Sequence, residues 1–171
     1  MTSFALHGVG VSAGIAIGRA QLVSHGLVNL GGDVRAIGTQ VDGAPWRVGI
    51  QHPRGAPGKV IAYVDLADGA VATSGDYERY FEVDGHRYCH LLDARTGWPT
   101  GHWQSATVVA PLAILAGSYA TIAMLLAADA PAFLAQQHAG DRLGDTLSAA
   151  HPQRPGHRGG AESFRGEHRV Q

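Results

Sequence analysis

Ala72–Pro99 reads ATSGDYERYFEVDGHRYCHLLDARTGWP. Arg79–Val83 and His86–Leu92 alternate apolar and polar residues on either side of Asp84-Gly85. That dipeptide suits a two-residue turn with positive φ, so the spacing predicts a β-hairpin. Asp93–Pro99 must then be a loop, because Thr96-Gly97 and Pro99 break any strand ladder. A hairpin of this kind pairs its own two strands antiparallel.

Working outward, Lys59–Leu66 and Ala70–Gly75 read as strands parted by a turn at Ala67–Gly69. Trp46–Ile50 is a further strand between the turn at Val41–Pro45 and the loop at His52–Gly58. Leu27–Leu30 reads as a short buried strand stopped by Gly31-Gly32, and Asp33–Thr39 as the next, with Val34 and Ile37 roughly in register. Ser105–Pro111 is the last strand. The period then changes to three or four: Leu112, Leu115, Tyr119, Ile122 and Leu126 share one helical face. Asp129 and Pro131 restart a second short helix through about His138. Before the strands, a helical pattern is expected around Ala16–Ser24, with Leu22 and Val23 inward and Gly26 as C-cap.

At 171 residues the chain fits one domain with a real core. It is 45% hydrophobic and 16% charged, which is a globular composition. A net charge of −1 gives no electrostatic case for nucleic acid or an anionic membrane. The single cysteine, Cys89, excludes an intrachain disulfide framework. Pro111–Leu126 is short for a membrane span, and no basic stretch leads into an apolar run at the start. The expectation from these features is a soluble, cytoplasmic protein. Residues 139–171 carry few large apolar residues and no sustained period, so the folded domain is expected over 1–138, followed by a disordered tail.

Four clusters carry groups able to do chemistry. In Asn29–Gly38 two glycines follow a strand, and Asp33 and Arg35 fall on one strand face, a plausible surface ion pair. Thr73, Ser74 and the Gly75 amide are small donors of the kind that hold a phosphate oxygen. His90 is a candidate acid–base group. Asp93 suits an Asx turn, leaving Arg95 to meet a phosphate. Ser118 and Thr121 lie near the start of a helix, where hydroxyls bond the preceding turn or face an anion or metal. Read singly, each also suits an ordinary turn, strand or helix. There is no P-loop, GxGxxG, CxxC or HExxH.

In order, VNLGGDVRAIG, WRVGI, the Ala72–Pro99 stretch, SATVVAP and LAGSYATIAMLL resemble the ApbE family, the FAD:protein FMN transferases. The resemblance covers Leu6 to His138 and corresponds to the C-terminal half to two-thirds of a family member. It implies an α/β (α+β) fold with tunnelling-fold-like antiparallel sheet packed with helices. It also implies FAD as substrate, Mg²⁺, transfer of FMN to a Thr or Ser hydroxyl of a target flavoprotein, and release of AMP. Nucleic acid is not implied, and the oligomeric state is left open. Family members are often periplasmic or membrane-anchored.

The resemblance makes His90 the candidate catalytic residue and places Leu92 where a family backbone touches FAD, with Thr73, Ser74 and Gly75 on the same wall. His7 and Ala13 stand at nucleotide-contacting positions where the family carries Asp and Lys or Glu, and Gly18 replaces another Asp. Gly10 matches a backbone carbonyl on the metal. On the late helix Gly117 replaces the family's metal carboxylate, Ala120 falls within that segment, and Thr121 keeps the hydroxyl ligand. Mg²⁺ prefers oxygen ligands that include a carboxylate. A replacement would have to come from elsewhere in the fold. The alternatives are a non-catalytic flavin-nucleotide-binding module or an inactive truncated family member.

Overall fold

In the computed structural model, residues 13–16, 18 and 23–138 are described. The expected disordered tail, His7 and Gly10 lie outside the described residues. Eight strands come first: β1 (Gly26–Leu30), β2 (Asp33–Ile37), β3 (Trp46–Gln51), β4 (Val60–Leu66), β5 (Gly69–Gly75), β6 (Tyr80–Val83), β7 (His86–Cys89) and β8 (Ser105–Ala110). Helix α1 (Ala113–Leu126), a 3-10 turn (Ala127–Asp129) and helix α2 (Ala130–His138) follow.

One four-stranded antiparallel sheet runs in the order β1-β2-β5-β8, beside two antiparallel ribbons, β3-β4 and β6-β7. The chain is therefore α+β, with strands and helices segregated. Strand alternation sends successive side chains to opposite faces. Ala70 and Ala72 of β5 join Ala110, Ala113 and Ala116 in one apolar cluster beneath α1. Val34, Ala36 and Val71 instead join Ile50, Val64 and Leu66 of the β3-β4 ribbon. The four-stranded sheet is thus the middle of three layers.

The middle position explains β2. All five of its residues are buried, Asp33 and Arg35 included, because one face meets the helix and the other the ribbon. The expected surface ion pair is corrected accordingly: Arg35 lies inside, its Nη1 donating to Asp68 at 2.6 Å and to the Gly69 carbonyl at 2.8 Å. It ties β2 to the turn before β5. β1 is corrected in the other sense. Its apolar LVNL suggested burial, yet it is the sheet's edge and mostly exposed.

The hairpin forms as the sequence indicates. Val83 pairs with His86, and Asp84 and Gly85 have φ of 51° and 75°. Such a turn matches the right-handed twist of the flanking strands. β7 ends at Cys89, short of the expected Leu92, and Leu92 bridges Pro99 instead. Cys89 and Leu91 enter the cluster of Ala120, Ala123, Met124 and Leu134, which anchors the hairpin base to both helices.

Two helix expectations change. The early helical residues are 13–16 and 18, while Val23 and Ser24 lie outside any helix and Gly26 opens β1 rather than capping. On α1 the buried face is Ala113, Ala116, Gly117, Ala120, Ala123 and Met124, not the Leu112–Leu126 stripe. Small side chains win that face because the helix lies close on β5 and β8. The apolar run extends further than Pro111–Leu126: Ala113–Gln137 is long and apolar enough, by length and composition alone, to cross a membrane. A helix laid against a sheet has the same length and composition, which is how α1 is used here.

Candidate functional site

Two neighbouring regions collect the candidate residues. The first lies between α1 and the helix-facing side of β5. Ser74, 1% exposed, shares a 2.8 Å hydrogen bond between its Oγ and Thr121 Oγ1. Four residues up the helix, a Cβ added at Gly117 would lie 3.8 Å from Asp33 Oδ2 and 3.9 Å from the Ala72 Cβ. Ala120 is fully buried beside them. Alternation turns Thr73 to the opposite face, where its hydroxyl meets Thr107 Oγ1 at 2.8 Å. Thr73 and Ser74 therefore do not form one row of donors. Ser118 is exposed on the outer side of α1, apart from Thr121.

Gly75 ends β5 where space is short. A Cβ there would run into the Tyr77 ring. Burial raises the Tyr77 hydroxyl above its ordinary range, with the charges of Glu78 and Asp76 adding to the effect. Asp76 accepts a fork from Arg54, Nη1 to Oδ1 at 2.7 Å and Nη2 to Oδ2 at 2.6 Å. The ribbon's loop is thereby clamped to the end of β5. Nothing in the spacing of Arg54 and Asp76 announced this contact.

The second region is the hairpin and the loop after it. Phe81, Tyr88, His90, Leu92, Trp98 and Pro99 line a largely apolar groove of about 520 Å³. Phe81 and Tyr88 stack across the strands with ring centroids 5.2 Å apart. His90 Nδ1 lies 3.2 Å from the Arg79 carbonyl oxygen. A carbonyl only accepts, so Nδ1 is the donor, and Nε2 on the other side of the ring is buried.

The loop is built as its residues predict, except for Arg95. The Asp93 carboxylate accepts from the Arg95 amide at 2.9 Å, making the Asx turn. The Arg95 guanidinium also bonds Asp93, at 3.2 and 3.1 Å, rather than standing ready for a phosphate. That bond is the main cause holding the Asp93 carboxyl below its ordinary value. Ala13, the remaining nucleotide-contact candidate that is described, is helical and exposed, and Gly18 is half-buried.

The order of these segments can be set against known proteins. The ApbE family profile matches residues 5–142. The chain belongs to the ApbE family. A curated ApbE-family relative, the FAD:protein FMN transferase of Escherichia coli K12, is 41% identical over 105 residues, 61% of this chain and 30% of that protein. The crystal structure of the ApbE protein of Thermotoga maritima superposes with a TM-score of 0.66 at 38% identity, covering 83% of this chain and 47% of that one. Apo flavinyl transferase ApbE of Pseudomonas stutzeri gives a TM-score of 0.66 at 34% identity, over 88% of this chain and 44% of that one. The chain thus spans about half or less of the length of the ApbE proteins it matches.

Mg²⁺, expected from the family resemblance, needs hard oxygen ligands. Among the described residues no three His, Cys, Asp or Glu side chains cluster as metal ligands. Ser74 and Thr121 offer neutral hydroxyl oxygens, and position 117 offers no side chain. One carboxylate, that of Asp33, lies against the space beside Gly117. Hydroxyl oxygens suit a hard cation such as Mg²⁺, which also prefers a carboxylate among its ligands.

Proposed function

We propose that this chain forms part of an FAD:protein FMN transferase. Its substrates are then FAD and a target flavoprotein that offers a Thr or Ser hydroxyl. The hydroxyl oxygen attacks the FMN-side phosphorus of the pyrophosphate, and the bond from that phosphorus to the bridging oxygen breaks. AMP leaves with the electron pair, and the hydroxyl proton passes to a base. Catalysis of this kind rests on positioning and on charge stabilisation more than on covalent chemistry by the protein.

His90 supports this reading best. It lines a largely apolar groove of about 520 Å³, with Nδ1 at the Arg79 carbonyl. We assign it the role of proton acceptor from the attacking hydroxyl, since imidazole is the commonest general base in proton transfer. Leu92 and Trp98, on the same groove, would shelter the apolar part of a flavin nucleotide. Thr121, with Ser74 beside it, would hold Mg²⁺. When bound, that ion supplies charge neutralisation of the pyrophosphate.

The test is transfer of flavin to a Thr-bearing acceptor domain, read as covalent flavin fluorescence on a denaturing gel. General acid–base groups contribute about 10²–10⁴-fold, so His90→Ala should slow labelling by about that much with little change in thermal stability. An unchanged rate would make His90 a structural strand residue. FAD binding without any transfer would favour the non-catalytic binding module, a reading that the missing carboxylate at 117 also supports.

A further inference from the structure

The segment that carries His90 changes its hydrogen-bonding partner at that residue. Tyr80 pairs with Cys89 at the base of the hairpin, and the His90 amide still donates to the Arg79 carbonyl at 3.1 Å. One residue later the pairing has passed to the chain returning from the loop. The Thr100 amide donates to the Leu91 carbonyl at 2.8 Å, and Leu92 bridges Pro99. Alternation turns His90 toward the groove with Tyr88, while its neighbours Cys89 and Leu91 are buried in the cluster that meets both helices. A backbone that changes partner can bend there unless something spans the change.

Cys89 spans it. Its Sγ lies 3.3 Å from the Thr100 carbonyl oxygen and 3.7 Å from that of Leu91, with Thr100 Oγ1 at 3.8 Å. A thiol has one proton and a carbonyl only accepts, so the S–H donates to the nearer oxygen, that of Thr100. Together with the bond from the Thr100 amide to Leu91, this contact brackets the His90 backbone from both sides. We propose that Cys89 is a positioning residue for His90: its thiol holds the returning chain against β7 and so sets the angle at which the imidazole enters the groove. A buried cysteine that served only as a small hydrophobe would be replaceable by any apolar side chain of similar size. The Thr100 contact makes the donor itself matter. The inference rests on the reading of His90 as proton acceptor and adds a residue that this reading does not use.

Cys89→Ser and Cys89→Ala together isolate the donor, because the two side chains fill nearly the same space and differ by one hydroxyl. Both are made in the full 171-residue chain. One readout is flavin transfer to the Thr-bearing acceptor; the other is the NMR signals of the His90 ring, assigned by their loss in His90→Ala. Misplacing a reacting group by about 1 Å costs up to about 10²-fold, so Cys89→Ala should lower kcat about tenfold and leave KM for FAD within about twofold. The same variant should move the His90 ring signals. Cys89→Ser should keep most of the rate and return those signals toward their wild-type positions. Cys89→Val fills the site without a donor, should behave as Cys89→Ala does, and replaces it in the comparison should that variant misfold. Unaltered kcat and ring signals in Cys89→Ala, or equal losses in Cys89→Ser and Cys89→Ala, overturn the proposal. A wild-type chain that transfers no flavin sinks the transferase reading alone, and the ring signals of the variants still decide whether the thiol sets the imidazole.

Discussion

Arg54 reaches Asp76 with both terminal nitrogens, and that fork fixes where the loop between β3 and β4 meets the end of β5. Asp76 is buried, so truncating its partner leaves a carboxylate with lost hydrogen bonds in a poorly solvated place. Arg54 is about a third exposed, which lets water recover some of the loss. Hydrogen bonds to charged groups contribute about 1.5–3 kcal/mol, and Arg54→Ala should destabilise by about 2 kcal/mol in urea melts. A change below about 0.5 kcal/mol would place the fork with ordinary surface pairs. By contrast, Arg47–Asp65 joins exposed side chains across the outer face of the ribbon, where such bridges add little.

Among the elements, α1 separates two notions of which helical face is inside. The Leu112–Leu126 stripe carries the large apolar residues, and periodicity selects it for that reason. The sheet selects the opposite: alanines and Gly117, because only small side chains let the helix axis come near β5 and β8. Leu112→Ala should therefore be nearly neutral, since Leu112 is 47% exposed. Ala120→Leu should cost about 1–3 kcal/mol by overpacking. Thermal melts of the two variants decide it, and the reverse ranking would restore the leucine stripe. The hairpin was legible because Asp84-Gly85 names its own turn chemistry, and the Asx turn because Asp93 makes its bonds locally. The burial of Asp33 and Arg35, the exposure of β1 and the Arg54 fork were not legible. Each depends on which elements cover a strand, and that is settled by partners far along the chain. The site divides in the same way: His90 and Thr121 were singled out by residue type and by resemblance, whereas the pairing of Thr121 with Ser74 depends on how α1 lies on β5.

At the scale of the whole molecule, the central sheet is shared by the layer above and the layer below. Val34 and Val71 belong to the ribbon's cluster, while Ala70 and Ala72 on the same strands' neighbourhood serve the helix. Neither outer layer can leave without exposing one face of β2 and β5. Amides of β4 and of α1 should therefore share one opening free energy in denaturant-dependent hydrogen exchange. Ribbon amides that exchange at clearly lower denaturant would show the β3-β4 layer opening by itself.

The groove beside His90 also gives the molecule an optical handle. Of its three tryptophans, Trp46 and Trp103 are pinned through their ring N–H groups to the carbonyls of Gly38 and Ala127. Trp98 instead stands 67% exposed on the groove wall. A collisional quencher dissolved in the buffer meets that indole first. Whatever settles into the groove shields the same ring, so the protein's own emission distinguishes a filled groove from an open one without any added dye.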